Sequence, residues 1–211
     1  MSRHASGDAG RDSRMRRLLA REAARIMAEE GEGDFYRAKH RAAVRLQASN
    51  TRHLPRNEEI EQALVDYQRL FFGEDQHALV QQLRRVALEA MAFFQAFQPR
   101  LTGPVLRGTA TVHSPVTLHL FADTPEEVSV FLLNNNIPFA HHEQSFTLMS
   151  GAAGTALAFS VAANDVDMEL VVFPTTWISR PLRSPVDGRA ERRAPAREVR
   201  ALLEECDDKG G

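Results

Sequence analysis

The chain has 211 residues, 43% of them hydrophobic, with 26 Lys+Arg against 28 Asp+Glu and a single cysteine. That length and composition suit one compact domain, or a small domain with a helical extension, with room for a packed core, and they exclude a disulfide scaffold, a zinc cluster and a fully disordered chain. No apolar run reaches the length of a membrane span, and arginines interrupt the first thirty residues where a signal peptide would need an apolar stretch, so the expected address is cytoplasmic with no membrane partner.

Residues 1–12 are small, polar and glycine-containing, which predicts a disordered tail. From Ser13, Leu18, Leu19, Ala23, Ile26 and Met27 recur at helical spacing, and Gly31 and Gly33 end this first helix. Asp34 is placed to cap a second helix in which Phe35, Ala38, Ala42 and Leu46 share a face, so the two read as an αα-hairpin. Residues 48–57 read as a loop closing on Asn57 as N-cap, with Glu58 and Glu59 in the first turn of a third helix. Ile60, Leu64, Tyr67, Leu70 and Phe71 form that helix's stripe and Gly73 ends it. A fourth helix is expected from about Asp75 to Phe97, with Leu79, Leu83, Val86, Met91 and Phe94 inward and Pro99 as its stop.

Beyond Pro99 the apolar period shifts towards 2. Val105 to Val112 reads as a short strand and turn, and Val116 to Ala122 as a strand with Val116, Leu118 and Leu120 on one face and Thr117, His119 and Phe121 on the other. Thr124 caps a helix from Pro125 to Asn135, Asn134 to Asn136 supply left-handed geometry at its end, and Pro138 to Met149 is the next strand. Strands Ala156 to Val161 and Val166 to Phe173 are joined by Ala163-Asn164-Asp165. A coil with Pro181, Pro185 and Gly188 leads to a last helix, about Ala196 to Glu205, and a polar end. The expected division is a tail at 1–12, a helical region at 13–98, a mixed-sheet domain at 99–180 and a C-terminal coil and helix at 181–211.

The strand-borne Gly108-Thr109 pair, a second strand about ten residues on, then helix, strand, strand, strand, is similar to the core of the polymerase-β-type nucleotidyltransferases. The resemblance covers residues 99–175 and implies an α+β fold, a helical region packed on a small nucleotidyltransferase-like mixed sheet with flanking helices. It implies that Gly108 and Thr109 touch nucleotide phosphates and that Glu169 stands at the third-carboxylate position. Where the family has its central carboxylate pair for metal, this chain has His119-Leu120-Phe121, and an imidazole and a phenyl ring do not hold magnesium. The whole chain also resembles a proteobacterial family of uncharacterised proteins, through Arg21-Glu-Ala-Ala-Arg25, Asp34-Phe-Tyr-Arg-Ala-Lys-His40, Ser114-Pro-Val-Thr-Leu-His-Leu-Phe-Ala-Asp123 and Ser184-Pro-Val-Asp-Gly188. Members of it carry the label UDP-N-acetylmuramate-alanine ligase; such a ligase needs a Gly-Lys-Thr or Gly-Lys-Ser phosphate loop, and neither Lys39 nor Lys209, the chain's two lysines, has that context.

These readings lean away from catalysis. The leading expectation is a nucleotide- or nucleic-acid-associated regulatory module that has lost its metal pair. One alternative is an active nucleotidyltransferase with a divergent site drawn from Asp123, Asp167 and Glu169, with Thr109 at a phosphate and magnesium as cofactor. Another is a non-enzymatic protein-interaction module that uses the helices. His119 is placed to face Glu169 across the sheet as a buried ion pair or an acid/base couple. His141 and His142 point to opposite faces of their strand and cannot jointly hold one metal with ease. Ser145 and Ser150 lack a nucleophile-elbow context, and Cys206 lacks an activating neighbour.

Residues 1–57 hold 13 Lys+Arg and 7 Asp+Glu, about +6, leaving 13 and 21, about −8, for the rest. Arg14, Arg17, Arg21, Arg37, Lys39 and Arg41 are the candidate phosphate contacts for RNA or DNA. A solvated amphipathic face, or docking of these helices on the acidic sheet domain, would produce the same pattern.

Overall fold

The computed structural model describes residues 5–48 and 54–207, with side chains described from 12 to 204 within those ranges. It is an α+β protein in which the described residues form seven helices and a five-stranded mixed sheet: α1 (Ala5–Glu30), α2 (Phe35–Arg45), α3 (Asn57–Phe71), α4 (Gly73–Phe93), β1 (Arg100–Thr102), α5 (Gly103–Arg107), β2 (Val116–Ala122), α6 (Pro125–Asn134), β3 (Ala140–Thr147), β4 (Ala153–Ala163), β5 (Val166–Pro174) and α7 (Ala196–Asp207). The chain divides into two compact units, one running to Gln76 with Thr111–His113, the other comprising His77–Ala110 and the remainder from Ser114. Among the described residues no helix is long and apolar enough to cross a membrane.

The first unit is a helical assembly in which α1 packs against both α2 and α3. Its core is made largely of alanine, with Ala23, Ala24, Ala38 and Ala42 fully buried around Leu19, Ile26 and Ile60. Small side chains let the helix axes approach closely, and each buries little area. Asp34 caps α2 by accepting from the Arg37 amide at 2.8 Å.

Two helix starts differ from expectation. Helix α1 begins at Ala5, so the expected tail is helical from that residue, and residues 1–4 lie outside the described range. Small polar residues nucleate a helix poorly but extend one that already exists. Helix α3 is preceded by Arg56 as N-cap, with Asn57 inside the helix. A guanidinium cannot accept the end amides, and the cap is supplied by Glu59, whose Oε2 accepts from the Arg56 amide at 2.7 Å. Of the loop expected at 48–57, residues 49–53 lie outside the described range, as does the side chain of Cys206.

The second unit is built on the sheet, in the order β1-β2-β5-β4-β3. Strands β2 and β5 are parallel and every other neighbouring pair is antiparallel. One face, with Val116, Leu118, Leu120, Met168 and Leu170, is fully or almost fully buried in a core shared with Leu83, Ala87 and Met91 of α4, Val128 and Leu132 of α6 and Val199 of α7. The expected N-cap Thr124 is present, its amide donating to Glu127 Oε1 at 3.0 Å. Asn164 and Asp165, at φ 51° and 61°, make the tight β4–β5 turn.

The expected strand from Val105 to Val112 is not formed. Thr102 ends the short β1 and the chain turns at once into α5, with Pro104 in its first turn, a position where the missing amide hydrogen costs nothing. Strand β1 is held on its outer side by a non-local bridge, Leu101 and Ala194 exchanging backbone hydrogen bonds of 2.9 and 2.8 Å. Helix α4 also falls otherwise than expected. Its buried face belongs to the core of the sheet, so the division lies at Gln76 and not near residue 98. Residues 1–76 then hold 14 Lys+Arg and 13 Asp+Glu, about +1, against 12 and 15, about −3, for the rest. The strong charge contrast disappears, because residues 58–76 bring six carboxylates and one arginine into the first unit, Glu59 among them as the partner of Arg16.

Candidate functional site

The second face of the sheet carries the polar groups. Register places Thr102, Thr117, Glu169 and Ser160 in one row across β1, β2, β5 and β4, and Arg100, His119, Val171, Ala158 and His142 in the next. Glu169 is half-buried; its Oε2 accepts from Ser160 Oγ at 3.2 Å, and its Oε1 lies 3.2 Å from His142 Nε2, off the line of a hydrogen bond, so that this buried oxygen has no hydrogen-bond partner. His142 is thus brought onto Glu169 by the β3–β4–β5 register, a pairing hidden in the sequence because it depends on how three strands align.

His119 does not pair with Glu169. It stands opposite Val171 on β5, its ring 4.8 Å from that of Phe173, and its buried Nδ1 has no hydrogen-bond partner. Burial, with a smaller contribution from nearby Arg193, pushes its pKa down to about 3, so it is a neutral core imidazole. The segment after β5 returns over this face. Glu191 Oε1 lies 3.0 Å from Thr102 Oγ1, and burial raises its pKa, opposed by that hydrogen bond and by Arg107 and Arg193. Arg193 lies over the Phe121 ring at 5.7 Å and donates to the carbonyls of Trp177 and Arg180.

Further along, at the carboxyl ends of β2 and β5, Phe146, Phe173 and Trp177 wall a cavity of about 300 Å³. Phe146 reaches it because its cross-strand partner is Gly154: a Cβ there would stand 2.6 Å from the ring. Asp123 borders this cavity, exposed, with Oδ1 accepting from Thr175 Oγ1 at 2.8 Å.

The nucleotidyltransferase-type constellation is therefore not assembled as expected. Gly108 is the left-handed C-cap of α5 at φ 84°, and the space its missing side chain leaves is approached by Arg84, which donates to the carbonyls of Val105 and Leu106. Thr109 is buried beside it. These two belong to the helix-covered side of the sheet, whereas Glu169 and His119 project from the other. Among the described residues no group of three or more His, Cys, Asp and Glu is arranged to hold a metal, and the β2–β5 register sets Asp123 beyond Ala122, which stands opposite Pro174, whereas Glu169 stands opposite Thr117.

The basic residues separate into two sets. Arg16 pairs with Glu59, Arg25 with Glu22 and Glu29, Arg41 with Glu30 and Glu32, and Arg45 with Glu22 and Glu30. Lys39 is partly buried, and burial lowers its pKa against the opposing pull of Glu59. Arg14, Arg17 and Arg21 lie exposed at i, i+3 and i+7 along α1 and make no ion pair among the described residues; nor does exposed Arg37. On α2, Tyr36 is 69% exposed and its ring meets that of His40 at 4.2 Å between centroids; Arg37 and Arg41 follow these two residues in the chain. Neither aromatic was legible as functional in the sequence; the signal was an i, i+4 aromatic pair on the polar side of an amphipathic helix.

No protein-family model, curated protein or solved structure matches this chain.

Proposed function

We propose that the protein is a nucleic-acid-associated module without catalysis of its own, and that its helical unit contacts a single strand. Bases stack on Tyr36 and His40, and Arg37 meets the adjoining phosphates. Arg14, Arg17 and Arg21 supply a further line of phosphate contacts along α1. The observation that carries this reading is the solvent-exposed Tyr36–His40 ring pair, with exposed Arg37 next to Tyr36 in the chain: a large exposed aromatic contributes little to a fold, while base stacking on such a ring stabilises a single-stranded complex by about 1–3 kcal/mol. The sheet unit, in the same reading, is a nucleotidyltransferase-like domain whose carboxylate pair is replaced by His119 and Phe121 and whose role is regulatory. Its helix between β2 and β3 and its parallel β2–β5 pair are in keeping with that descent.

Fluorescence anisotropy with a labelled single-stranded oligonucleotide of mixed sequence, as RNA and as DNA, tests the proposal. The expected result is saturable binding that Tyr36→Ala weakens about tenfold or more, with no labelled product when nucleoside triphosphates and magnesium are added. Absence of binding by the unaltered chain, or product formation abolished by Glu169→Ala, would overturn it.

A protein-interaction reading is favoured by one separate observation. The edge strand β3 is exposed along most of its length, and from Ala140 to Phe146 no backbone hydrogen bond is made on its outer side among the described residues. Such an edge can accept an added strand. Light scattering that finds a monomer at every concentration removes self-pairing as the occupant.

A further inference from the structure

The cavity at the carboxyl ends of β2 and β5 belongs to the second unit alone and stands independently of the nucleic-acid reading. Ligands of open α/β sheets gather outside the carboxyl ends of parallel strands, and β2 and β5 are this sheet's parallel pair. At about 300 Å³ the cavity takes a molecule built on one ring. Its walls are apolar and aromatic, from Phe146, Leu157, Val172, Phe173 and Trp177, and Asp123 is the single ionisable residue among those that line it.

Three observations set the ligand's charge. The Asp123 carboxylate is held in place by Thr175 through Oδ1, and Oδ2 has no protein partner among the described residues. Glu126 and Glu127 follow in the first turn of α6, so the helix start that could attract a phosphate is surrounded by carboxylates instead. The rings of Trp177, Phe146 and Phe173 meet one another at 5.4–6.2 Å, and the Arg180 guanidinium that lies 4.5 Å from the Trp177 centroid is not among the lining residues, which leaves the Asp123 carboxylate as the cavity's own charge. We propose that this cavity binds a small aromatic amine, its ring among the three aromatic side chains and its protonated nitrogen on Asp123 Oδ2.

Trp177 is the chain's one tryptophan, so its fluorescence reports the cavity without a label. The full-length protein is titrated with 2-phenylethylammonium, 2-phenylethanol and phenylacetate, three probes that share a ring and differ in charge, with calorimetry as a second readout. The amine is expected to give a saturable change and to bind at least tenfold more tightly than the alcohol, and phenylacetate is expected to bind least. Asp123→Asn keeps an acceptor for Thr175 and is expected to lose at least tenfold in affinity for the amine while leaving the alcohol unchanged, with an unaltered circular dichroism spectrum. Equal responses to all three probes, a linear response that never saturates, or an Asp123→Asn protein that binds the amine as before would overturn the proposal.

Discussion

The two units of this chain dispose of charge in opposite ways. In the helical unit almost every charged group is at the surface, and Glu22, Glu29, Glu30, Glu32 and Glu59 meet arginines across and along the helices. Those contacts hold the carboxyls of Glu22, Glu30 and Glu59 below their ordinary range; for Glu59 the pairing works against burial. In the sheet unit, polar groups are taken inside with few partners: His119 is buried with an orphaned nitrogen, Glu169 with an orphaned oxygen, and Glu191 and Arg193 are both shifted toward their neutral forms by burial. Exposed pairs contribute little stability each, so the helical unit leans on its alanine core. The sheet unit has apolar area to spare and can carry polar groups at a cost.

The contrast breaks most visibly in the large core. Leu170, fully buried at the centre of β5, is expected to cost about 3 kcal/mol when replaced by Ala. A lower midpoint for the sheet unit's transition in urea, with the helical unit's transition unmoved, is the expected outcome; a loss below about 1 kcal/mol would mean that this core is not packed as described.

Acid should separate the units next. The folded-state pKa of His119 is lowered to about 3 from the ordinary 6.5, so between those values the unfolded chain binds a proton that the folded one does not. Stability from this group is whole above pH 6.5 and falls as the pH drops, by about 1.4 kcal/mol per unit in the middle of that window. Glu191, raised by burial, acts with the opposite sign and offsets part of the loss as it protonates, whereas the lowered carboxyls of the helical unit lose their contribution only below about pH 4.5. Unfolding curves from about pH 7 to pH 4 are expected to flatten in His119→Phe and to steepen in Glu191→Gln. An unchanged slope in His119→Phe would contradict the assignment.

A smaller effect belongs to the helical unit. Glu59→Ala removes both the acceptor for the Arg56 amide and the partner of Arg16, and loss of a cap of this kind costs about 1 kcal/mol. Thermal denaturation at low and high salt distinguishes the parts, since the cap survives salt and the ion pair weakens.

The same division explains what the sequence made legible. The Asp34 cap, the Thr124 start of α6, the Asn164-Asp165 turn and the alternation of β2 are legible because each depends on local geometry, whereas the Asn57 cap, though local, is displaced by one residue because Glu59 supplies the acceptor. Features fixed by distant partners are not. Strand β1 exists because Ala194 bonds to Leu101, α4 joins the sheet's core because of what it buries, and His142 reaches Glu169 only through the register of β3, β4 and β5. At the candidate sites the residue types were visible and their company was not. Arg41, a phosphate candidate by residue type, is paired with Glu30 and Glu32, Gly108 caps α5, and Asp123 borders an aromatic cavity.

In the proposed single-strand complex, the arginines left outside the ion-pair network are the ones that meet phosphate. The most direct test is the salt dependence of single-strand binding, in which each phosphate contact contributes about 0.7 to the slope of log K against log salt. Arg17→Ala is expected to lower both affinity and slope by about one contact's share, while Arg45→Ala, which removes a side chain already committed to Glu22 and Glu30, leaves the slope unchanged. Equal slopes for the two variants, or a larger fall for Arg45→Ala, would contradict that assignment of the phosphate contacts.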